Sequence, residues 1–161
     1  MAKNLTVSVS PHLHDGITTQ TIMRDVLIAL APAVIASVVF FGVRALLVEA
    51  VCVAVAILCE WAFEKICKRP VTVSDLSAAV TGLLLALNLP SGIPLWQAAF
   101  GAFVAIVLVK QMFGGIGYNF ANPAITARVI MLVAFSGTMT SWVVPSFVDA
   151  VSSPSPLFRL R

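Results

Sequence analysis

Residues 26–43 read VLIALAPAVIASVVFFGV and contain no charged side chain. Crossing the hydrocarbon core of a bilayer takes roughly 20 apolar residues in a helix, and this run meets that need with Arg24 and Asp25 marking its entry. A second run covers 45–63, interrupted by Glu49 and Glu60, and a polar, basic stretch follows it with Glu64, Lys65, Lys68, Arg69 and Pro70. The third run, 76–89, is short for a span and stops at the turn signal Pro90-Ser91-Gly92. A fourth covers 95–112, with Lys110 near its end, and a fifth covers 125–142, with Arg128 near its start.

Composition agrees with this pattern. The chain is 60% hydrophobic and 11% charged, with a mean hydropathy of +1.01. A soluble domain is about 45–50% apolar and about 25% charged. A fold this small cannot bury the excess, so lipid is its solvent. The expected fold class is an all-α, polytopic membrane protein of about five transmembrane segments, one of them short or broken. A polar arm over 1–21 precedes the membrane domain of 22–142, and a Ser/Pro-rich tail occupies 143–161. The arm has no apolar core and so does not read as a cleavable secretory signal.

The net charge of +3 does not indicate a nucleic-acid partner, because Lys and Arg are scattered between apolar runs. They orient the chain instead. With the N-terminus in the cytoplasm, Lys3, Arg24, Lys65, Lys68, Arg69, Lys110 and Arg128 fall inside, and only Arg44, Arg159 and Arg161 fall outside. The tail is therefore expected on the outer face. Trp61, Trp96 and Trp142 lie near predicted span ends, as interfacial aromatics do. Cys52, Cys59 and Cys67 have no metal-type spacing. His12 and His14 are too few for a metal site and suit a solvated or partner-contacting arm.

Ionisable groups inside a bilayer are expensive and often functional. Glu49 reads either as an ion-path group or as an interfacial partner of Arg44, and Glu60 lies near enough to the cytoplasmic end to reach water. Asp75 reads as a helix-start charge or as part of a cation vestibule. Asn119 and Asn122 form a polar break; Asn122 suits a helix cap with Pro123 at the first helical position, or both contact a cofactor or ion. Short, Gly/Pro-interrupted segments also mark binding regions in inverted-repeat transporters, and the chain reads as one half of such a unit.

Six local motifs occur in order: Ser10-Pro11-His12; TIMRDVLIALAP over 21–32; DLSAAVTGLLLAL over 75–87; Pro94-Leu95-Trp96; KQMFGGIG over 110–117; and NFANPA over 119–124. Together they resemble the RnfD subunit family of the Rnf electron-transport complex and, less closely, its NqrB relatives. The resemblance implies a membrane subunit of a ferredoxin:NAD+ oxidoreductase that passes electrons through flavin, coupled to Na+ or H+ translocation. It implies a prokaryotic cytoplasmic (inner) membrane, other Rnf subunits as partners, and half of a urea-transporter-like inverted repeat. Ferredoxin and NAD would meet those partner subunits, since no nucleotide-binding loop occurs here.

The family carries FMN as a phosphoester on a hydroxyl residue, and riboflavin is a further cofactor of its full-length members. In the matching stretch Asp149 and Ser152 agree with the attachment motif and Ser155 falls on the attachment position. Ser153 and Pro154 replace the usual Gly and Ala; Pro154 fixes its φ and lacks an N–H. Family members continue well past Arg161, so truncation or a frameshift is expected. Two other functions fit the same membrane unit: a non-redox half of a small-solute channel or transporter, and a truncated scaffold without activity.

Overall fold

The computed structural model describes residues 18–69 and 72–145, and all regular structure among them is helical. Thr18 starts α1 (Thr19–Phe41), its hydroxyl accepting from the N–H of Thr21 at 3.3 Å. The helix runs through Pro32. Gly42 alone separates it from α2 (Val43–Ile66) and turns the chain at φ 76°, a conformation glycine adopts without a Cβ penalty. These two helices are long and apolar enough to cross a membrane.

A single 3-10 turn, Val73–Asp75, and a left-handed Leu76 lead into α3 (Ser77–Leu87). At 11 residues α3 is about 16 Å long, roughly half a bilayer core, as its sequence suggests. After the Pro90–Pro94 turn, α4 (Leu95–Phe103) passes without a break into a π-helical stretch, Val104–Gln111. Asn122 and Pro123 then start α5 (Pro123–Ala134). In the stretch read as the fifth segment, α5 ends at Ala134, Phe135 bends the chain, and a single turn, α6 (Ser136–Met139), follows.

The core explains how a half-length helix survives. Nine of the 11 residues of α3 are buried, because α2 lies against it and α1, α4 and α5 enclose it. Small side chains allow the approach. A Cβ on Gly82 would stand 2.9 Å from the carbonyl oxygen of Cys52 and 3.0 Å from both Ala56 Cβ and Val53 Cα. Ala98, Ala102, Ala105, Ala124 and Ala127 line the neighbouring contacts, and Leu85, Val104 and Met131 fill the centre. Small residues at helix contacts are the packing mode of membrane bundles, where dispersion replaces the hydrophobic effect. The perimeter is apolar: Ile28, Ile35, Leu58 and Val133 are all exposed.

Candidate functional site

The acidic residues of α2 divide into two groups along the helix axis. Glu49 lies in its second turn, and Glu60 and Glu64 near its end. At 1.5 Å per residue, Glu49 and Glu60 are about 16 Å apart. Each group meets a different partner.

Glu60 is fully buried and forms an ion pair with Lys110 of the π-helical stretch. Gln111 Nε2 donates to the same Glu60 Oε1 at 3.0 Å. Lys110 Nζ also donates to Ser77 Oγ, the first residue of α3, at 2.6 Å. One ammonium thus joins three helical segments. The π geometry helps, because hydrogen bonds spanning five residues, as from Met112 N to Val107 O at 3.1 Å, mean more residues per turn. Consecutive side chains then turn through a smaller angle, and Lys110 and Gln111 are both buried. Such stretches occur often at functional sites.

This network departs from what the sequence suggests. Glu60 does not reach water, and Lys110 is buried rather than solvent-exposed. A charge close to the end of an apolar run reads as snorkelling outward; here each turns inward to meet the other. Glu64 is buried as well, accepting from the backbone N–H of Thr72 at 3.0 Å and from the Thr72 hydroxyl. The legible signal was that a glutamate and a lysine of opposite sign interrupt two separate apolar runs.

Two cavities flank the network. One, of about 340 Å³, is lined by Ser77, Thr81, Lys110, Asn119, Asn122 and Pro123 among others. The carboxamide of Asn119 faces the carbonyl oxygens of Val109, Lys110 and Gly115 at 3.1–3.2 Å, so its NH2 group is the end that turns to them, with two N–H donors shared among three acceptors. Asn122 caps α5 as its sequence suggests, its Oδ1 accepting from Ala124 N at 3.0 Å. The other cavity, about 280 Å³, is lined by Glu64, Arg69, Thr72, Asp75, Gln111 and the Gly114–Ile116 turn. Asp75 closes the separate 3-10 turn before α3 and is not in the first turn of α3 itself.

Glu49 belongs to a third site. The residue is 5% exposed; Oε1 lies 2.6 Å from Ser37 Oγ of α1, and Oε2 has no partner among the described residues. It does not pair with Arg44, whose guanidinium donates instead to the carbonyl oxygens of Gly92 at 3.3 Å and Ile93 at 3.5 Å. Asp149, Ser152 and Ser155 lie outside the described residues. No cluster of three or more His, Cys, Asp or Glu side chains able to hold a metal occurs among those described.

A sequence model of the NQR2, RnfD, RnfE family matches residues 6–161. The chain belongs to this family. It is similar to the D subunit of the Na(+)-translocating ferredoxin:NAD(+) oxidoreductase complex of Acetobacterium woodii, 45% identical over 98% of this chain and 50% of the relative. The D subunit of the proton-translocating ferredoxin:NAD(+) oxidoreductase complex of Clostridium ljungdahlii is 40% identical over 99% of this chain and 49% of its own length. Its counterpart in the ion-translocating oxidoreductase complex of Shewanella denitrificans is 38% identical over 96% and 46%, respectively. The chain therefore spans about half the length of these curated relatives. Family membership and the apolar helices together make it an integral membrane protein.

Proposed function

We propose that this chain is the N-terminal half of the RnfD-type membrane subunit of a ferredoxin:NAD+ oxidoreductase, which passes electrons through flavin coupled to Na+ or H+ translocation. The observation that carries this reading is the 45% identity to the Acetobacterium woodii relative over 98% of the chain. The other Rnf subunits are its partners, and ferredoxin and NAD are handled by them. Its place is the cytoplasmic membrane of a prokaryote, N-terminus inside and C-terminal tail outside. Arg24 before the first span and Lys65, Lys68 and Arg69 after the second support that orientation, although Lys110, being buried, no longer counts toward it.

The FMN attachment residue in this reading is Ser155, with Asp149 and Ser152 as the neighbouring motif residues. A serine hydroxyl supplies the oxygen that a phosphoester needs. FMN, once bound, supplies one-electron and two-electron redox chemistry, and the protein supplies its position. Glu49, Asp75, Asn119 and Asn122 are the candidate ion-path or cofactor-contacting groups. Asp75, Asn119 and Asn122 lie at or beside breaks in helical structure, where backbone and side-chain polarity can line a cavity inside a membrane, and Glu49 is a buried carboxylate within α2. The test is flavin fluorescence of the denatured chain in a gel, followed by the mass of the peptide containing Ser155. An FMN phosphoester on Ser155 is expected. Flavin-free protein from cells that flavinylate related subunits contradicts the assignment.

A further inference from the structure

Glu49 is among the residues lining a cavity of about 180 Å³ bordered by α1, α2, the end of α3 and the stretch after α6. Ser37 and Phe41 line it from α1, Leu87 from α3, Leu89 and Ser91 from the following turn, and Trp142 from beyond α6. That volume holds several waters or a partly hydrated cation. The walls are mostly hydrocarbon, so Glu49 is the one ionisable group among the residues lining it.

The hydrogen bonds around Ser37 define two states. Ser37 Oγ lies 2.8 Å from Val34 O and 2.6 Å from Glu49 Oε1. A hydroxyl has one proton to donate, so it cannot satisfy both at once. In one state Glu49 is a neutral acid: its O–H donates to Ser37 Oγ, and the Ser37 hydroxyl donates to Val34 O. In the other state Glu49 is ionised, and the Ser37 proton turns to Oε1. Oε2 then remains buried and without a protein partner among the described residues. An uncompensated buried charge is costly, and a cation in the adjacent cavity compensates it. The C-terminal turn of α3 lines the same cavity, and a helix is negative at that end, which favours a cation over an anion there.

We propose that Glu49, Ser37 and this cavity form a proton-or-monovalent-cation exchange site. The O–H bond of Glu49 breaks, the proton leaves to water, and the carboxylate turns Oε2 toward the cavity, where one Na+- or Li+-sized cation takes the proton's place with Ser91, the end of α3 and water completing its oxygen shell. The net charge of the site is unchanged. The other charged or titratable groups on this end of α2 are Arg44, held by the Gly92 and Ile93 carbonyls, and Cys52, whose Sγ donates to Ala98 O. No residue that α1, α3 or the following turn brings to the cavity titrates. The inference deepens the ion-path reading of Glu49 and rests on it.

The test uses the full chain purified in detergent. Infrared difference spectra are recorded as NaCl or LiCl replaces choline chloride at constant ionic strength, with proton release followed by a pH dye. Loss of a protonated-carboxyl band, with about one proton released per chain, is expected. Glu49→Gln abolishes both, and Ser37→Ala weakens the apparent cation affinity about tenfold. A carboxyl band indifferent to both cations overturns the site, as does the same response in Glu49→Gln. Should Glu49→Gln not fold, Ser37→Ala carries the test, and an unchanged affinity overturns the proposal. A chain that assembles with redox subunits while Glu49 ignores both cations leaves the functional reading standing without this site. A chain that binds Na+ at Glu49 yet never assembles does the reverse.

Discussion

Lys110 and Glu60 stand 50 positions apart in sequence and form a fully buried ion pair that ties the π-helical stretch to α2. Because Lys110 also donates to Ser77 Oγ, the pair fixes where the half-length α3 begins. Burying two charges is expensive, and their attraction offsets that cost only while both are present. The pair therefore specifies an arrangement more than it adds stability.

Lys110→Met leaves Glu60 buried without its cation and is expected to destabilise the chain by about 3–5 kcal/mol. Combining it with Glu60→Met removes the stranded charge and recovers much of that loss. Thermal unfolding in detergent across the four members of this double-mutant cycle measures the coupling. Simple additivity contradicts the pairing.

The contact between α2 and α3 depends on the missing Cβ of Gly82, since backbone atoms of Cys52 and Val53 stand where it would be. Gly82→Val is expected to cost about 1–3 kcal/mol through overpacking. Gly101→Ala meets Met131 Cγ at 3.4 Å, an ordinary contact with a flexible side chain, and helix propensity favours Ala. Its unfolding temperature should match or exceed that of the unaltered chain. Equal losses from both changes would disprove the close approach.

Asn122 holds the start of α5 through Ala124 N and Ile125 N. Asn122→Ala is expected to cost about 1 kcal/mol and Asn122→Asp much less, because aspartate caps equally well. Hydrogen exchange at Ala124 and Ile125 gives the readout. Unchanged protection in Asn122→Ala would count against the cap.

How much of this was legible in the sequence depends on the range of each interaction. The uncharged run at 26–43 and the short run ending before Pro90 mark α1 and α3 because span length and turn chemistry are local properties. The Asn122-Pro123 cap was readable for the same reason. The Glu60–Lys110 pair was not, since nothing local says that two charges on different runs face each other. Nor was the widening of α4 into a π-helix, which depends on what Lys110 and Gln111 meet in the packed bundle. Glu49 fell between these cases. Its burial in an apolar run could be foreseen, but its partner could not: Arg44 is near in sequence, whereas Ser37 comes from another helix.

The proposed function requires this polypeptide to be part of a membrane-bound redox complex. The most direct measurement is to express the tagged chain with the remaining subunits of an Rnf-type complex, wash the membranes with alkaline carbonate, solubilise in mild detergent and identify what purifies with the tag. A carbonate-resistant chain that brings the other Rnf subunits with it is the predicted result. Recovery in the soluble fraction, or from membranes with none of those subunits attached, would contradict it.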